Sequence, residues 1–140
     1  MLRYMSIDHG AKRIGLAVGD SETHLAAPVL GVPGSGSPEQ DARAVLAASK
    51  EYGADAFVLG LPLNMDDSEG PQARIVREFG DALERLSGLT VHYFDERLSS
   101  ETAREKMIGG DLTRKKRKAR LDGLAAQAIL QEFLESMDRR

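Results

Sequence analysis

The stretch Met1–Gly19, MLRYMSIDHGAKRIGLAVG, predicts a strand, a tight turn and a second strand. The first apolar run ends at Asp8, an acid that is easy to expose there but is not explained by packing. After the turn, large apolar side chains alternate with Gly15, Ala17 and Gly19, so one face of the second strand is small. A small face lets another element of the chain lie close to the sheet.

An acid at the end of the first strand suits two kinds of chemistry. Asp8 could hold a divalent metal beside a phosphodiester, as in ribonuclease-H-like nucleases, or lie near nucleotide phosphates, as in actin-like kinases and ATPases. A structural hairpin is an equally good interpretation of so short a motif. At 140 residues the chain fits one ordinary domain and is too short for a two-domain actin-like ATPase.

Composition narrows the chemistry further. The chain has no cysteine, and its three histidines show no metal-ligand spacing, so any metal would be held by oxygen. No apolar stretch approaches the roughly 20 residues of a membrane helix, and Met1 leads directly into a strand. We therefore expect a cytoplasmic protein that does not bind membranes. The net charge of −3 hides a basic segment, residues 114–120, which holds six cations within an otherwise acidic chain.

The middle of the chain changes from antiparallel to parallel pairing. Residues 25–32 predict a third strand, and Pro28 places it at a sheet edge because proline cannot donate to a central ladder. A capping-box pattern at Ser37–Gln40 starts a helix that runs to about Tyr52. The short apolar run 56–59 then predicts a strand buried on both faces, which is typical of a βαβ unit.

The second half predicts one more strand and three helices. Pro71 starts a helix that ends before Gly88, and a fifth strand over residues 90–94 ends in Asp95-Glu96. A short helix over about 99–107 and a last helix over about 121–137 follow, with the basic segment between them. This order predicts a single α/β domain over residues 1–140, with a mixed five-stranded sheet and helices on its faces.

Asp122 is a second acid that packing alone does not explain. On a helix, four apolar side chains fall within about 60° of it, so its carboxylate lies in an apolar stripe. These residues are Ala125, Ala126, Ile129 and Phe133. A buried carboxylate is usually neutralised, paired or bound to a metal. An acid near a helix start also favours the positive end of the helix dipole, and on the helix alone neither interpretation is preferred.

Asp8, Asp95, Glu96 and Asp122 together are the candidate catalytic acids. Acids at the ends of parallel strands meet at the carboxyl edge of a sheet, and an acid on a packed helix can complete the cluster. Such oxygens suit Mg²⁺ or Mn²⁺, and two ions about 3.5–4 Å apart would support phosphodiester hydrolysis. Asp95 and Glu96 face opposite sides of the strand, and we favour Glu96 as the metal ligand beside Asp8 and Asp122 because its side chain is longer.

Cations lie beside these acids in the sequence. Lys12 and Arg13 follow Asp8, and Arg97 follows Glu96; each could contact a phosphate or make an exposed ion pair. The basic segment is too dense in charge to be a packed element, and such runs are usually solvated. Its position directly before Asp122, however, fits contact with a nucleic-acid backbone. The candidate contacts are Arg114, Lys115, Lys116, Arg117 and Lys118.

Several separated motifs resemble the YqgF/RuvX family, in the same order and over almost the whole chain. They are Asp8-His9-Gly10-Ala11-Lys12-Arg13-Ile14-Gly15, Gly60-Leu61-Pro62-Leu63-Asn64-Met65, Ser68-Glu69-Gly70-Pro71-Gln72-Ala73, Asp95-Glu96-Arg97-Leu98-Ser99, and Asp122 with Ala125-Ala126 and Ile129-Leu130-Gln131. Together these motifs are far more specific than any one of them.

The resemblance implies a ribonuclease-H-like fold and a metal-dependent nuclease. By position, the family's acids correspond to Asp8, the Asp95-Glu96 pair and Asp122. The loop 60–70 looks like the family's signature loop, in which Asn64 and Ser68 could meet substrate, although a self-bonded loop explains these residues as well. The chain departs from the expected pattern at one place in this loop, where Asp67 stands instead of glycine.

The family is described both as a Holliday junction resolvase and as the nuclease that matures the 5′ end of 16S ribosomal RNA. We expect an endonuclease that acts on structured precursor 16S rRNA, with ribosomal precursor particles as candidate partners. The main alternative is a resolvase that cuts branched, four-way DNA junctions. A non-catalytic RNA-binding factor in ribosome assembly is the alternative of another class. Either a monomer or a homodimer is compatible with the residues.

Overall fold

The computed structural model describes residues 1–98 and 114–138, and it describes the side chains of residues 1–97 and 123–137. The short helix predicted over 99–107 lies outside this part of the chain. Within the described residues, none of the helices has the length and apolar character needed to cross a bilayer.

Five strands form one mixed sheet in the order β3-β2-β1-β4-β5. β1 pairs antiparallel with β2 and β2 with β3, whereas β1 pairs parallel with β4 and β4 with β5. The strands are β1 Arg3–His9, β2 Arg13–Asp20, β3 Ala26–Pro33, β4 Ala56–Leu61 and β5 Val91–Asp95. The predicted mixed sheet is confirmed, and β3, which contains Pro28, is an edge strand as predicted.

In the described part of the chain, three α-helices cover the two faces of the sheet. They are α1 Pro38–Tyr52, α2 Pro71–Ser87 and α3 Arg114–Asp138. α1 begins where the sequence predicts, because the Ser37 hydroxyl accepts a hydrogen bond from the Gln40 amide at 3.4 Å. The other half of the predicted capping box is replaced, since the Ser37 amide donates to the Ser35 hydroxyl instead. Gly53 ends the helix at φ 65°, a conformation that favours glycine.

α3 begins earlier than the sequence analysis predicts. The prediction started the last helix near Leu121 and treated the basic segment as too charged to join an element, but the helix already runs from Arg114. The prediction was wrong because Lys and Arg are good helix formers, so a charged run can extend a helix that packs further along. The basic segment is therefore the first two turns of α3.

β1 separates two cores because its side chains alternate between the faces of the sheet. Met5 and Ile7 lie in the larger core with α1 and α2. Tyr4 lies in the smaller core with Leu130 and Leu134 of α3, and both leucines are fully buried. α1 and α2 therefore cover one face, and α3 covers the other.

The small face of β2 lets α3 approach the sheet closely. A Cβ atom added to Gly19 would lie 3.0 Å from Cδ1 of Leu134 and 3.2 Å from Cδ2 of Leu130. On β1, the buried Ser6 hydroxyl donates a 2.6 Å hydrogen bond to the Ala126 carbonyl. The small face was predicted from Gly15, Ala17 and Gly19, and α3 is the element that lies on it.

We predict that Leu134→Ala lowers the free energy of unfolding by about 2–5 kcal/mol, because it leaves a cavity where α3 meets β1 and β2. Leu30→Ala is the matched control. Leu30 is 85% exposed on edge strand β3, so its loss should change stability by about 0.5 kcal/mol or less. Urea unfolding measures both variants, and equal effects would contradict the packing described for α3.

Candidate functional site

Asp8 lies at the carboxyl edge of the sheet, on the face covered by α3. It is the last residue but one of β1 and stands opposite Gly15 of β2. Alternation along β1 places Asp8 on the same side as Ser6, whose hydroxyl contacts α3. Its neighbour Ile7 is level with Leu59 of β4, so the next residue of β4, Gly60, lies beside Asp8.

Glu96, the first residue after β5, reaches this place because Gly60 has no side chain. A Cβ atom on Gly60 would lie 3.2 Å from Oε2 and 3.5 Å from Cβ of Glu96. It would also lie 2.7 Å from Cδ1 of Ile129, which belongs to α3. The Glu96 carboxylate therefore lies over β4, the strand between β5 and β1, on the α3 face. Asp8 and Glu96 share one edge and one face of the sheet, and both are half-buried.

Asp122 belongs to the part of α3 that passes the same edge. α3 runs antiparallel to β1, since Leu130 contacts the Gly19 level of the sheet and Ala126 contacts Ser6. Position 122 precedes Ala126 by four residues, which is about 6 Å of helix. The two strand residues from Ser6 to Asp8 span about the same distance. The backbone at position 122 is thus level with Asp8, although its side chain lies outside the described ones.

Asp95, the alternative acid of the pair, is bound to the guanidinium of Arg97. Arg97 donates from Nε at 3.0 Å and from Nη2 at 2.7 Å, and its amide also donates to Oδ1 of Asp95. The Arg97 side-chain hydrogen bonds hold the pKa of the Asp95 carboxyl below its usual value. The same pairing raises the pKa of Arg97. The Asp95 carboxylate is therefore paired with Arg97 in this structure, and its catalytic role stays a prediction.

Arg97 also fastens the signature loop to the end of β5. Its Nη1 donates to the carbonyl of Asn64 at 2.7 Å, and its Nη2 donates to Oδ1 of Asp67 at 2.6 Å. Within the loop, Nδ2 of Asn64 donates to the Ser68 hydroxyl at 3.0 Å. The Arg97 guanidinium and the Asn64 amide therefore have protein partners in this structure. Their contacts with a nucleic acid stay predictions.

Asp67 preserves the loop's turn where glycine was expected. Its φ is 69°, a left-handed conformation that aspartate tolerates better than most residues. Its amide donates to the Asn64 carbonyl at 3.0 Å, and its carboxylate pairs with Arg97. The Asp67 side chain thus binds Arg97, which a glycine at this position could not do.

The turn after β1 brings two cations to the same edge. Gly10 closes it by donating to the Arg13 carbonyl at 3.0 Å, and the Lys12 carbonyl accepts from the Gly34 amide at 2.9 Å. Lys12 is exposed and Arg13 is half-buried. Both can meet an anion that approaches Asp8.

His9 faces the other side of the sheet from Asp8. Its Nε2 lies 3.4 Å from Oδ2 of Asp41, and the two side chains are 5% and 4% exposed. Asp41 also accepts from the amide and the hydroxyl of Ser35, and the His9 ring packs on Phe79 with centroids 4.7 Å apart. This cluster was not predicted from the sequence. The alternation of side chains along β1 could have predicted that His9 faces the other side of the sheet from Asp8. No local sequence pattern indicates Asp41 as the partner of His9.

The donor set for a metal is incomplete within the described side chains. Among them, no three histidines, aspartates or glutamates come together as a metal site. Asp8 and Glu96 supply carboxylate oxygens at one edge, and the third candidate, Asp122, is placed by its backbone alone. Oxygen donors of this kind fit Mg²⁺ or Mn²⁺, which prefer carboxylates, and not softer metals.

Sequence comparisons identify relatives along nearly the whole chain. The family model described as "RuvX: Holliday junction resolvase" matches residues 2–136. A protein of Rhodopirellula baltica named "Putative pre-16S rRNA nuclease" is 39% identical over 134 residues, which are 96% of this chain and 77% of that protein. A protein of Myxococcus xanthus with the same name is 40% identical and covers 96% of this chain and 89% of its own length.

Comparison of structures shows the same fold in two resolvases. RuvC of T. thermophilus in complex with a Holliday junction substrate superposes with a TM-score of 0.61 at 15% identity, covering 99% of this chain and 97% of its own. The fowlpox virus Holliday junction resolvase superposes with a TM-score of 0.57 at 16% identity, covering 97% and 99%. At these identities the likeness concerns the fold, and it confirms the ribonuclease-H-like fold expected from the sequence.

We predict that Asp95→Asn makes stability less sensitive to acid. Since the folded-state pKa of Asp95 is lowered by Arg97, its contribution is present above the unfolded pKa of about 4 and is lost as pH falls through the lower folded value. Urea unfolding at about pH 7 and about pH 3 should therefore show a smaller loss of stability in the variant than in the wild type. Glu51→Gln, at an exposed acid of α1, is the control, and equal losses in all three proteins would contradict the Asp95–Arg97 pairing.

Proposed function

The chain belongs to the RuvX family and is a nuclease, and on this premise we propose that it is a metal-dependent endonuclease that cleaves precursor 16S rRNA near its 5′ end. One observation carries the catalytic part of this proposal. The Glu96 carboxylate lies over Gly60, at the same edge and on the same face of the sheet as Asp8.

Asp8, Glu96 and Asp122 are the proposed metal ligands, with Mg²⁺ or Mn²⁺ as the cofactor. When bound, divalent ions at such carboxylates supply charge stabilisation and an activated water for phosphodiester hydrolysis. The half-buried positions of Asp8 and Glu96 favour this use, because clustered carboxylates shielded from water repel one another unless a cation joins them. Asp95 supports the site indirectly by keeping Arg97 in place.

The proposal assigns the substrate's phosphates to Lys12, Arg13 and the basic segment. Lys12 and Arg13 lie in the turn directly beyond Asp8. The basic segment forms the first turns of α3, and residue 114 precedes residue 122 by about 12 Å of helix, so this segment extends past the carboxyl edge of the sheet. The positive end of the helix dipole lies there as well. Phosphates on both sides of the cleaved bond would therefore lie near cationic residues.

The names of the relatives favour RNA as the substrate. Curated relatives that cover most of this chain are named for pre-16S rRNA. A four-way DNA junction is the second candidate, because the family model is described as a Holliday junction resolvase and the fold is shared with resolvases. A cytoplasmic location, ribosomal precursor particles as partners, and a homodimer for paired cuts on a junction belong to these proposals. A non-catalytic assembly factor is the alternative of another class, and variants of the proposed metal ligands distinguish it from a nuclease.

We predict that Asp8→Asn and Glu96→Gln each reduce cleavage more than about 100-fold, because each removes a metal ligand. Asp95→Asn should reduce it far less, since Asp95 binds Arg97. The assay presents end-labelled precursor 16S RNA and a four-way DNA junction to each protein with Mg²⁺ or Mn²⁺.

Cleavage of the RNA alone by the wild type supports the rRNA proposal, and cleavage of the junction alone supports the resolvase. If the wild type binds the RNA without cutting it, and Asp8→Asn binds equally well, the assembly-factor alternative replaces catalysis. A loss caused by Asp95→Asn as large as that caused by Glu96→Gln would contradict the division of roles between the two acids.

We predict that neutralising Lys115, Lys116 and Lys118 to Gln weakens RNA binding at every sequence and flattens its salt dependence. Each lost phosphate contact should lower the slope of log K against log salt by about 0.7, so three contacts lower it by about 2. Binding titrations between about 50 and 200 mM salt measure this slope. Lys50→Gln, at an exposed lysine near the end of α1, is the control, and an unchanged slope in the triple variant would show that the basic segment does not bind the backbone.

A further inference from the structure

Glu96 lies just beyond the paired part of β5. Strand pairing ends at Asp95, which stands opposite Leu61 of β4, and Glu96–Leu98 form a short 3₁₀-helix. The pairing of β5 therefore holds the residue before Glu96, and the direction of the chain at Glu96 depends on other contacts.

A side-chain hydrogen bond closes a turn around Glu96. Oδ1 of Asp95 accepts from the Arg97 amide at 3.0 Å, a bond that spans two residues and bends the chain at the residue between them. Asp95 lies on the same face of β5 as Tyr93, whose hydroxyl lies against Gly80 of α2. The turn is thus closed on the α2 face, while its central residue, Glu96, points to the α3 face.

The guanidinium of Arg97 ties this turn to the loop 60–70. Each of its nitrogens donates to a protein oxygen: Nε to Asp95, Nη1 to the Asn64 carbonyl, and Nη2 to both Asp95 and Asp67. Little of the donor capacity of Arg97 is therefore left for a phosphate. Its contacts instead join the residue after Glu96 to a second segment of the chain.

The loop 60–70 is itself anchored, so it can hold Arg97 in place. The Asn64 amide donates to the Ser68 carbonyl at 2.9 Å, and an isolated bridge joins Leu63 to Glu69. Glu69 also accepts from Nη2 of Arg77, on α2, at 2.7 Å. Arg97 therefore connects the end of β5 to a segment that α2 holds from the other side.

We propose that Arg97 and Asp67 are positioning residues, which hold the turn at residues 95–97 so that the Glu96 carboxylate lies over Gly60. This inference rests on the proposed nuclease function, because it concerns a proposed metal ligand of that site. It assigns Arg97 to the protein side of the site and not to a phosphate. A planar guanidinium suits this task because its fork of donors can bind several acceptors at once.

Two variants separate the fork of Arg97 from its charge. Arg97→Lys keeps the charge but loses the fork. Asp67→Gly removes one acceptor without backbone strain, because a φ of 69° suits glycine. Glu69→Gln is the control, since it removes another ion pair of the same loop, the one with Arg77. Asp67→Asn keeps an acceptor oxygen and should restore most of what Asp67→Gly loses.

Mn²⁺ titration of the protein without RNA, followed by electron paramagnetic resonance, measures the effect on the site. We expect the dissociation constant to rise about tenfold in Arg97→Lys and about threefold in Asp67→Gly, because both loosen a metal ligand. Glu69→Gln should bind Mn²⁺ like the wild type. In cleavage assays, the first two variants should lower kcat and leave KM unchanged, and RNA binding in Ca²⁺ should keep its wild-type affinity.

Unchanged Mn²⁺ affinity in both Arg97→Lys and Asp67→Gly would overturn the inference. Tighter RNA binding by Asp67→Gly would overturn it too, because it would show that Asp67 competes with a phosphate for Arg97. A wild type that binds Mn²⁺ but cuts neither RNA nor a DNA junction would refute the nuclease proposal, while the Mn²⁺ affinities still decide the role of Arg97. A wild type that binds no Mn²⁺ would refute both.

Discussion

The candidate site depends on the missing side chain at residue 60. Gly60 contacts both Glu96 and Ile129, so a Cβ atom there would displace the end of the Ile129 side chain and press on the Glu96 side chain. The absence of a Cβ atom at residue 60 therefore permits both the close packing of α3 on the sheet and the position of the Glu96 carboxylate over β4. A glycine at this place couples the packing of the fold to the position of its proposed chemistry.

Neighbouring residues at the end of β1 face opposite sides of the sheet, one toward the proposed site and one toward the larger core. Asp8 faces α3, and its neighbour His9 faces α1 and α2, where it pairs with the buried Asp41. A polar cluster inside the larger core therefore anchors the end of β1 on the face opposite to Asp8. At the end of β5, Arg97 binds Asp95 and the loop 60–70, while Glu96 lies on the α3 face.

Local patterns predicted most of the fold, because alternation, caps and prolines act over a few residues. Pro28 placed an edge strand correctly, and the position of Asp8 at the end of β1 is confirmed, whereas its role in a site stays a prediction. The start of α3 at Arg114 was missed, because charge density suggested solvation although the residues form helices readily. An ion pair was one of the two alternatives given for Arg97, but its attachment to the loop 60–70 could not be predicted. That attachment depends on Asp67, which lies 30 positions away in the sequence.

Anomalous diffraction from crystals grown with Mn²⁺ would show whether Asp8, Glu96 and Asp122 share a cation at the carboxyl edge of the sheet. The account predicts a peak with oxygens of Asp8 and Glu96 within about 2.0–2.6 Å, and with Asp122 in the same coordination shell. Asp95 should remain bound to Arg97. Manganese bound only elsewhere, such as at Asp66, Asp67 and Glu69, would contradict this arrangement.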